Sequence, residues 1–250
     1  MDKHAFVTGG GSGIGLAIAK ALAGAGWRVT IAGRGEARLR EAAATVSGAQ
    51  IRPFDVTDKS AVNSAVDAAA ELSGPVVLLV NNAGSVISAP FEKTDPAAWR
   101  AMLDVHLLGA VHCTQAVLPG MRARGWGRIV NIASTAGLIG YRNFSAYVAA
   151  KHALVGLTKT LALEVAKSGI TVNAVCPGYV DTDIISSAVR RISEKTQRAP
   201  AEALATFTAV NPQGRLVRPE EVAGAVVWLA SDEAAAVNGI ALPIDGGEVA

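Results

Sequence analysis

Thr8-Gly-Gly-Gly-Ser-Gly-Ile-Gly15 follows the short apolar run Ala5-Phe-Val7 and opens an amphipathic stretch over residues 14–25. A strand-like run, a glycine turn and a helix, in that order, let backbone approach a pyrophosphate, which then rests on the helix N-terminus. The spacing of Gly9, Gly13 and Gly15 is Gly-x-x-x-Gly-x-Gly, with Ser12 and Ile14 inside the turn. Glycines alone also make tight turns. The strand–turn–helix context is what points to a dinucleotide.

Outward from that turn the pattern repeats. β-branched runs at 5–7, 28–32, 50–54, 76–80, 128–132, 171–175 and 240–243 alternate with helical stretches near 14–25, 36–46, 59–72, 96–124, 146–167 and 219–230. Strands alternating with helices predict an α/β fold, a doubly wound parallel sheet of about seven strands with helices on both faces. Ligands of such sheets bind at the carboxyl ends of the strands. No linker, low-complexity tract or internal repeat divides the chain, so residues 1–250 read as a single domain. Residues 183–212 are irregular and fit two short helices after a strand's carboxyl end. That position makes them a candidate lid over the site, or else a solvated hairpin on the domain edge.

Composition narrows the classes of function. The 250 residues are 50% hydrophobic and 18% charged, enough for a large core. A formal net charge of +2 gives no reason to expect nucleic acid or an anionic membrane as partner. Cys113 and Cys176 lie far apart, so neither a disulfide framework nor a metal site is expected, and a reducing cytoplasm fits. The residues before the glycine turn are too few and too polar for a signal peptide. The compact apolar run Val76-Val-Leu-Leu-Val80 has strand length and falls far short of a membrane span.

The second strand's end bears on coenzyme choice. An acid there usually binds the ribose 2′-hydroxyl of NAD. Here the chain reads Ile31-Ala-Gly-Arg-Gly35, without an acid and with Arg34 in reach. A guanidinium suits a 2′-phosphate, which favours NADP(H) and leaves NAD(H) possible; Arg34 as a plain surface arginine is the alternative. Asp55, beside Val56 at the end of the third strand, could accept from the adenine amino group or serve as a turn or cap residue. Asn81-Asn-Ala-Gly84 ends the fourth strand, where small residues let a cofactor pass close to backbone. Asn82, Ala83 and Gly84 are the expected contacts, while Asn81 could equally tie neighbouring loops together.

Tyr147 and Lys151, at i and i+4, share one helix face in Ser145-Ala-Tyr-Val-Ala-Ala-Lys151. Ser134 stands upstream, just after the apolar run 128–132. A neighbouring ammonium would favour the phenolate and lower a tyrosine pKa of ~10 toward the range of efficient general acid–base catalysis. Ser134 would hydrogen-bond the oxygen of a ketone and favour its partly anionic state. Hydride transfer to a ketone needs a bound dinucleotide, a proton donor for the developing alkoxide and a second donor on that oxygen. The chain offers each, so it reads as a nicotinamide-dependent oxidoreductase interconverting a ketone and a secondary alcohol. Val86, Tyr141, Phe144 and Tyr179 suggest an apolar or aromatic-tolerant substrate cavity.

These residues resemble the short-chain dehydrogenase/reductase family over essentially the whole chain. The likeness is carried by Thr8–Gly15, Asn81–Gly84, Ser134, Tyr147 and Lys151, Ile170-Thr-Val-Asn-Ala-Val-Cys-Pro-Gly178 and the closing Ile244-Asp-Gly-Gly247. The resemblance implies one Rossmann-type domain, usually in a homotetramer or dimer. It implies Tyr147 as general acid/base, Lys151 as the ribose-binding residue that tunes the tyrosine, and Ser134 as the group orienting the carbonyl. It further implies that Pro177, Gly178, Val180 and Thr182 lie along the coenzyme, with Thr182 on the nicotinamide carboxamide. The run Cys176-Pro-Gly-Tyr-Val-Asp-Thr182 and Arg34-Gly-Glu-Ala-Arg-Leu39 are similar to 3-oxoacyl and aromatic polyketide ketoreductases and to 3-hydroxyacyl-CoA dehydrogenases. The expected substrate is therefore a 3-oxoacyl thioester or a polyketide-like ketone. Arg190, Arg191, Lys195 and Arg198 are candidates to meet CoA or pantetheine phosphates.

One position departs from the family. Its catalytic asparagine, normally in Asn-Leu-x-Gly, is replaced by His106 in Asp104-Val-His-Leu-Leu-Gly109. In the family that asparagine holds a water that relays protons to the lysine. Imidazole also bonds water and ordinarily titrates near neutral pH, so a relay with altered pH dependence is expected; packing between helices is the alternative. Two rival functions stay open here: an NAD-dependent dehydrogenase of a secondary alcohol or hydroxyacyl-CoA, and a catalytically weak structural partner of an active subunit.

Overall fold

The computed structural model describes residues 3–250. The sheet strands are β1 His4–Thr8, β2 Arg28–Gly33, β3 Gln50–Pro53, β4 Leu78–Asn81, β5 Gly127–Ile132, β6 Ile170–Pro177 and β7 Ala241–Ile244. They form one seven-stranded sheet in the order β3-β2-β1-β4-β5-β6-β7, every pair parallel. The order reverses between β1 and β4, and the crevice at their carboxyl ends is where such sheets hold ligands. Every residue of β5 and β6 is buried, as expected of strands covered on both faces.

Nine α-helices are described: α1 Gly13–Gly24, α2 Glu36–Ala43, α3 Lys59–Ser73, α4 Pro96–Leu103, α5 Gly109–Arg124, α6 Ser145–Val165, α7 Asp183–Thr196, α8 Pro200–Thr208 and α9 Pro219–Leu229. One face of the sheet is covered by Ile18 and Leu22 of α1, Leu39 of α2, and Val222, Val226 and Leu229 of α9. The other takes Val62 and Val66 of α3, Val117 and Met121 of α5, and Val165 of α6. Local chemistry sets the helix ends. Asp58 caps α3 by accepting from the N–H groups of Ser60 and Ala61, and Asp95 caps α4 ahead of Pro96. Gly125, in the left-handed region, stops α5.

The helical stretch expected over 96–124 is interrupted. Asp104–Leu108 form a π turn between α4 and α5. The wider turn puts His106 on the inner side, 4% exposed, beneath the carboxyl ends of β4 and β5. This stretch is long and apolar enough to cross a membrane by composition, a test that core helices also pass, and Cys113, Val117 and Met121 of α5 lie in the core.

Candidate active site

Thr8 organises the coenzyme side. Its hydroxyl accepts from the N–H of Asn82 at 2.9 Å and of Ala83 at 3.0 Å. The Asn82 amide donates to the carbonyls of Thr8 and Gly9 at 3.0 and 3.2 Å. The end of β4 is thus clamped to the glycine turn, so Asn82 shapes the turn with its side chain. Gly9 sits at φ 64°, in the left-handed region. A Cβ on Gly15 would stand 2.2 Å from the Gly9 carbonyl oxygen, so the turn closes only with glycine there. Ser12 makes no side-chain capping bond to α1, which leaves the first N–H groups of the helix for a ligand. Thr182 faces this turn from the other side, its Cγ2 3.2 Å from where a Cβ on Gly13 would lie. These features fit a bound dinucleotide pyrophosphate.

Arg34 is exposed and lies 4.0 Å from the Asp55 carboxylate. Asp55 also accepts from Thr57 through backbone and hydroxyl at 2.9 Å, so it forms a turn, while Asp58 is the helix cap. Val56 is buried against Gly109. Arg38, one turn along α2, pairs with Asp183 at 2.9 Å and joins the coenzyme loop to the first residue of α7. Asn81 ties strands together, donating to Asn131 Oδ1 at 2.8 Å.

The catalytic candidates converge. The Ser134 hydroxyl accepts from the Ala136 N–H at 3.1 Å, capping a short 3₁₀ turn Thr135–Gly137 at the end of β5, and stands close enough to the Tyr147 phenol to act on its proton affinity. Lys151 is buried, donates to the Ile132 carbonyl at 2.8 Å, and lies 5.7 Å from the centre of the Tyr147 ring. Burial pushes the Tyr147 phenol up, with Ser134 opposing, and pushes Lys151 down to about 7. Lys151 donates to the Ile132 carbonyl, and in the protein alone burial outweighs the other influences on the phenol.

His106 does join this group. Its ring meets Tyr147 edge-on at 5.3 Å, and Nε2 stands 2.7 Å from the Ser85 carbonyl, which requires Nε2–H to donate. Nδ1 is then a buried acceptor without a protein partner, as is Asn81 Oδ1. Both residues and Lys151 line a cavity of about 10 Å³. Burial, reinforced by the Lys151 charge, lowers His106 to about 3. The expectation of titration near neutral pH is thereby corrected: the imidazole stays neutral.

Aromatic side chains from four segments meet next to Tyr147. Phe144 lies 6.5 Å from Tyr147, Tyr141 lies 6.5 Å from Tyr179, and Tyr179 lies 5.1 Å from Phe207 of α8. Val86 is exposed beside Ser85, on a loop joined to the catalytic segment through Ala89 N–H to the Asn143 carbonyl at 2.9 Å. Among the described residues no cluster of three metal-ligating side chains occurs.

Residues 3–192 match the family model described as short chain dehydrogenase. The chain belongs to the short-chain dehydrogenase family. It is 40% identical to a D-beta-hydroxybutyrate dehydrogenase of Cupriavidus necator, over 99% of this chain and 98% of the relative. To an acetoacetyl-CoA reductase of Rhizobium meliloti it is 41% identical, over 99% of each. Among solved structures, a single-residue variant of actinorhodin polyketide ketoreductase with NADPH superposes with a TM-score of 0.93 at 42% identity, covering 99% of this chain and 97% of that one. This short-chain dehydrogenase is a nicotinamide-dependent oxidoreductase acting on CH–OH groups and ketones. The glycine turn, the Tyr147/Lys151 pair and Ser134 were visible in sequence. Thr8 as the clamp, Thr135, Phe207 against Tyr179 and Glu248 of the closing segment were not. Phe207 and Glu248 come from remote segments with no periodic signal.

Proposed function

We propose that this short-chain dehydrogenase reduces a 3-oxoacyl thioester, on CoA or a carrier protein, with NADPH. The observation that carries the chemistry is the convergence of Tyr147, the buried Lys151 5.7 Å from its ring centre, and Ser134 on the turn that follows β5. When bound, the nicotinamide ring supplies or takes up the hydride. Ser134 and Tyr147 both hydrogen-bond the ketone oxygen, and Tyr147 gives its proton to that oxygen as the alcohol forms. A phenol raised by burial stays protonated at neutral pH, as a proton donor must. Lys151 keeps Tyr147 within reach and binds the ribose. His106, neutral, offers Nδ1 as an acceptor to the same polar cavity and takes the place of the family asparagine in the relay.

Gly9, Ser12, Gly13, Ile14 and Gly15 hold the pyrophosphate. Val56, Ala83, Gly84, Pro177, Gly178, Val180 and Thr182 line the coenzyme, with Asp55 and Val56 toward the adenine. Arg34 takes the 2′-phosphate, because β2 ends without an acid and the guanidinium is 80% exposed. Val86, Tyr141, Phe144 and Tyr179 shape the substrate pocket. The segment 183–212 closes over it as a lid, supported by the Phe207–Tyr179 contact, and presents Arg190, Arg191, Lys195 and Arg198 to solvent for pantetheine or CoA phosphates. Exposed Leu108, Leu163 and Trp228 support assembly with further copies of the chain, and two buried free thiols suit a cytoplasmic setting.

The test is the initial rate of acetoacetyl-CoA reduction by the purified protein with NADPH and NADH in parallel. Turnover favouring NADPH is the expected result. Turnover favouring NADH overturns the coenzyme assignment alone, and binding of either coenzyme without turnover of any thioester overturns the substrate class.

A further inference from the structure

After β7 the chain reverses on Asp245, whose carboxylate accepts from the N–H groups of Gly247 at 2.9 Å and Val249 at 3.0 Å. Gly246 and Gly247 both take positive φ in this reversal, and Gly246 packs so tightly that a Cβ there would stand 2.1 Å from Asn211 Oδ1. The turn carries Glu248 back over Gly178, where a Cβ on the glycine would lie 2.7 Å from Glu248 Oε2. Glu248 Oε1 meets the Tyr141 hydroxyl, and that hydroxyl meets Thr135 Oγ1 at 2.7 Å. Thr135 directly follows Ser134. A carboxylate from the end of the chain therefore stands at the aromatic wall, two hydrogen bonds from the residue beside the carbonyl-orienting serine.

The surroundings of this carboxylate are one-sided. Oε2 is buried without a hydrogen-bond partner. The charged group that acts on Glu248 is another acid, Asp245; Tyr141 holds it by a hydrogen bond, and burial pushes its pKa up. Tyr141 itself is raised by burial and by Glu248, so the phenol stays neutral and offsets no charge. The cation nearest the reacting centre, Lys151, lies behind Tyr147 and is committed to the Ile132 carbonyl. A buried or half-buried charge acts on its neighbours through a medium far less screening than water. A second anion brought to this wall would face the Glu248 and Asp245 carboxylates, with Lys151 already committed to a carbonyl.

We infer that Glu248 is a specificity-determining residue that turns away free 3-oxo acids and leaves the pocket to neutral esters and thioesters. The inference rests on the ketone-reductase reading above and sharpens its substrate class. Discrimination of this kind works by raising the cost of the wrong ligand as much as by improving the right one. Tyr141 transmits the effect, since its hydroxyl is the atom that Glu248 holds in place.

Acetoacetate and methyl acetoacetate share the 3-oxo group and differ in the charged end, so they separate charge from chemistry. Specificity constants kcat/KM for both, with NADPH, would be compared in the wild type, Glu248→Gln and Glu248→Leu, with thermal unfolding run on each to confirm folding. The wild type should prefer the ester by about tenfold or more, the size of effect a like charge at the pocket wall can exert. In both variants the ester-to-acid ratio should fall at least about fivefold, mainly through a lower KM for acetoacetate. A ratio unmoved in both folded variants overturns the inference while the ketone-reductase reading stands. A wild type that reduces neither ester nor thioester overturns that reading and the inference together.

Discussion

The two halves of the crevice are built differently. On the coenzyme side, shape is made by backbone: Gly9, Gly13 and Gly15 turn the chain, and Thr8 and Asn82 clamp that turn to the end of β4. On the side proposed for the substrate, side chains from distant segments meet: Tyr141 and Phe144, Tyr179, Phe207 and Glu248. A backbone cradle tolerates almost no change, because an added carbon has nowhere to go. A side-chain wall tolerates change in kind and alters what is admitted. The same fold can thus keep one coenzyme chemistry and vary its substrate, as site residues grafted on a common scaffold do.

The sharpest way to break this contrast is Gly15→Ala. Its Cβ would stand 2.2 Å from the Gly9 carbonyl oxygen and 2.5 Å from Asn82 Nδ2. NADPH affinity, measured by titration of coenzyme fluorescence, should fall by a factor of roughly 100 or more, with a stability loss of roughly 2–4 kcal/mol. Unimpaired binding would mean that the cradle is softer than its contacts say.

A smaller effect is expected at His106, where the two halves meet. The folded protein holds this imidazole at about 3 against an ordinary 6.5. A group whose folded pKa is depressed contributes stability that is complete above pH 6.5 and is lost as pH falls toward 3. His4, also lowered by burial, acts in the same direction. In His106→Asn, urea unfolding at pH 7 and pH 4 should show a loss on acidification smaller by roughly 2–3 kcal/mol than in the wild type. Equal losses would show that His106 is not held neutral.

Smallest is the coenzyme's far end. Arg34 is exposed and loosely paired, so in the proposed role it contributes a charge near a 2′-phosphate and little else. Arg34→Ala should cost about tenfold in kcat/KM with NADPH, roughly 1.4 kcal/mol, and change NADH far less. Parallel losses with both coenzymes would remove the argument for a 2′-phosphate site.

The contrast also explains how far the sequence could be read. Strand and helix order followed from alternation of apolar runs, and the glycine turn from its spacing after β1, because both signals are local. The Tyr147/Lys151 pair was visible for the same reason: i and i+4 on a helix share a face. The π turn at Asp104–Leu108 was invisible, since an extra residue in a helix leaves no mark in the apolar pattern. With it went the burial of His106, and so its proton affinity. Likewise Asp55 could be read as a ligand or a turn residue, and only its bonds to Thr57 show the turn. The Glu248–Tyr141 contact spans 107 residues, and nothing in either local sequence announces it.

The account stands or falls on whether the chemistry can be removed while the cradle is left whole. The direct measurement is Tyr147→Phe, read by NADPH titration and by reduction of acetoacetyl-CoA. The glycine turn is held by Thr8 and Asn82 rather than by Tyr147, so coenzyme affinity should stay within about twofold while kcat falls by roughly 1,000-fold, the scale of lost general acid catalysis. A variant that loses coenzyme binding in step with turnover, or that keeps its turnover, would contradict the division of labour between backbone and side chains.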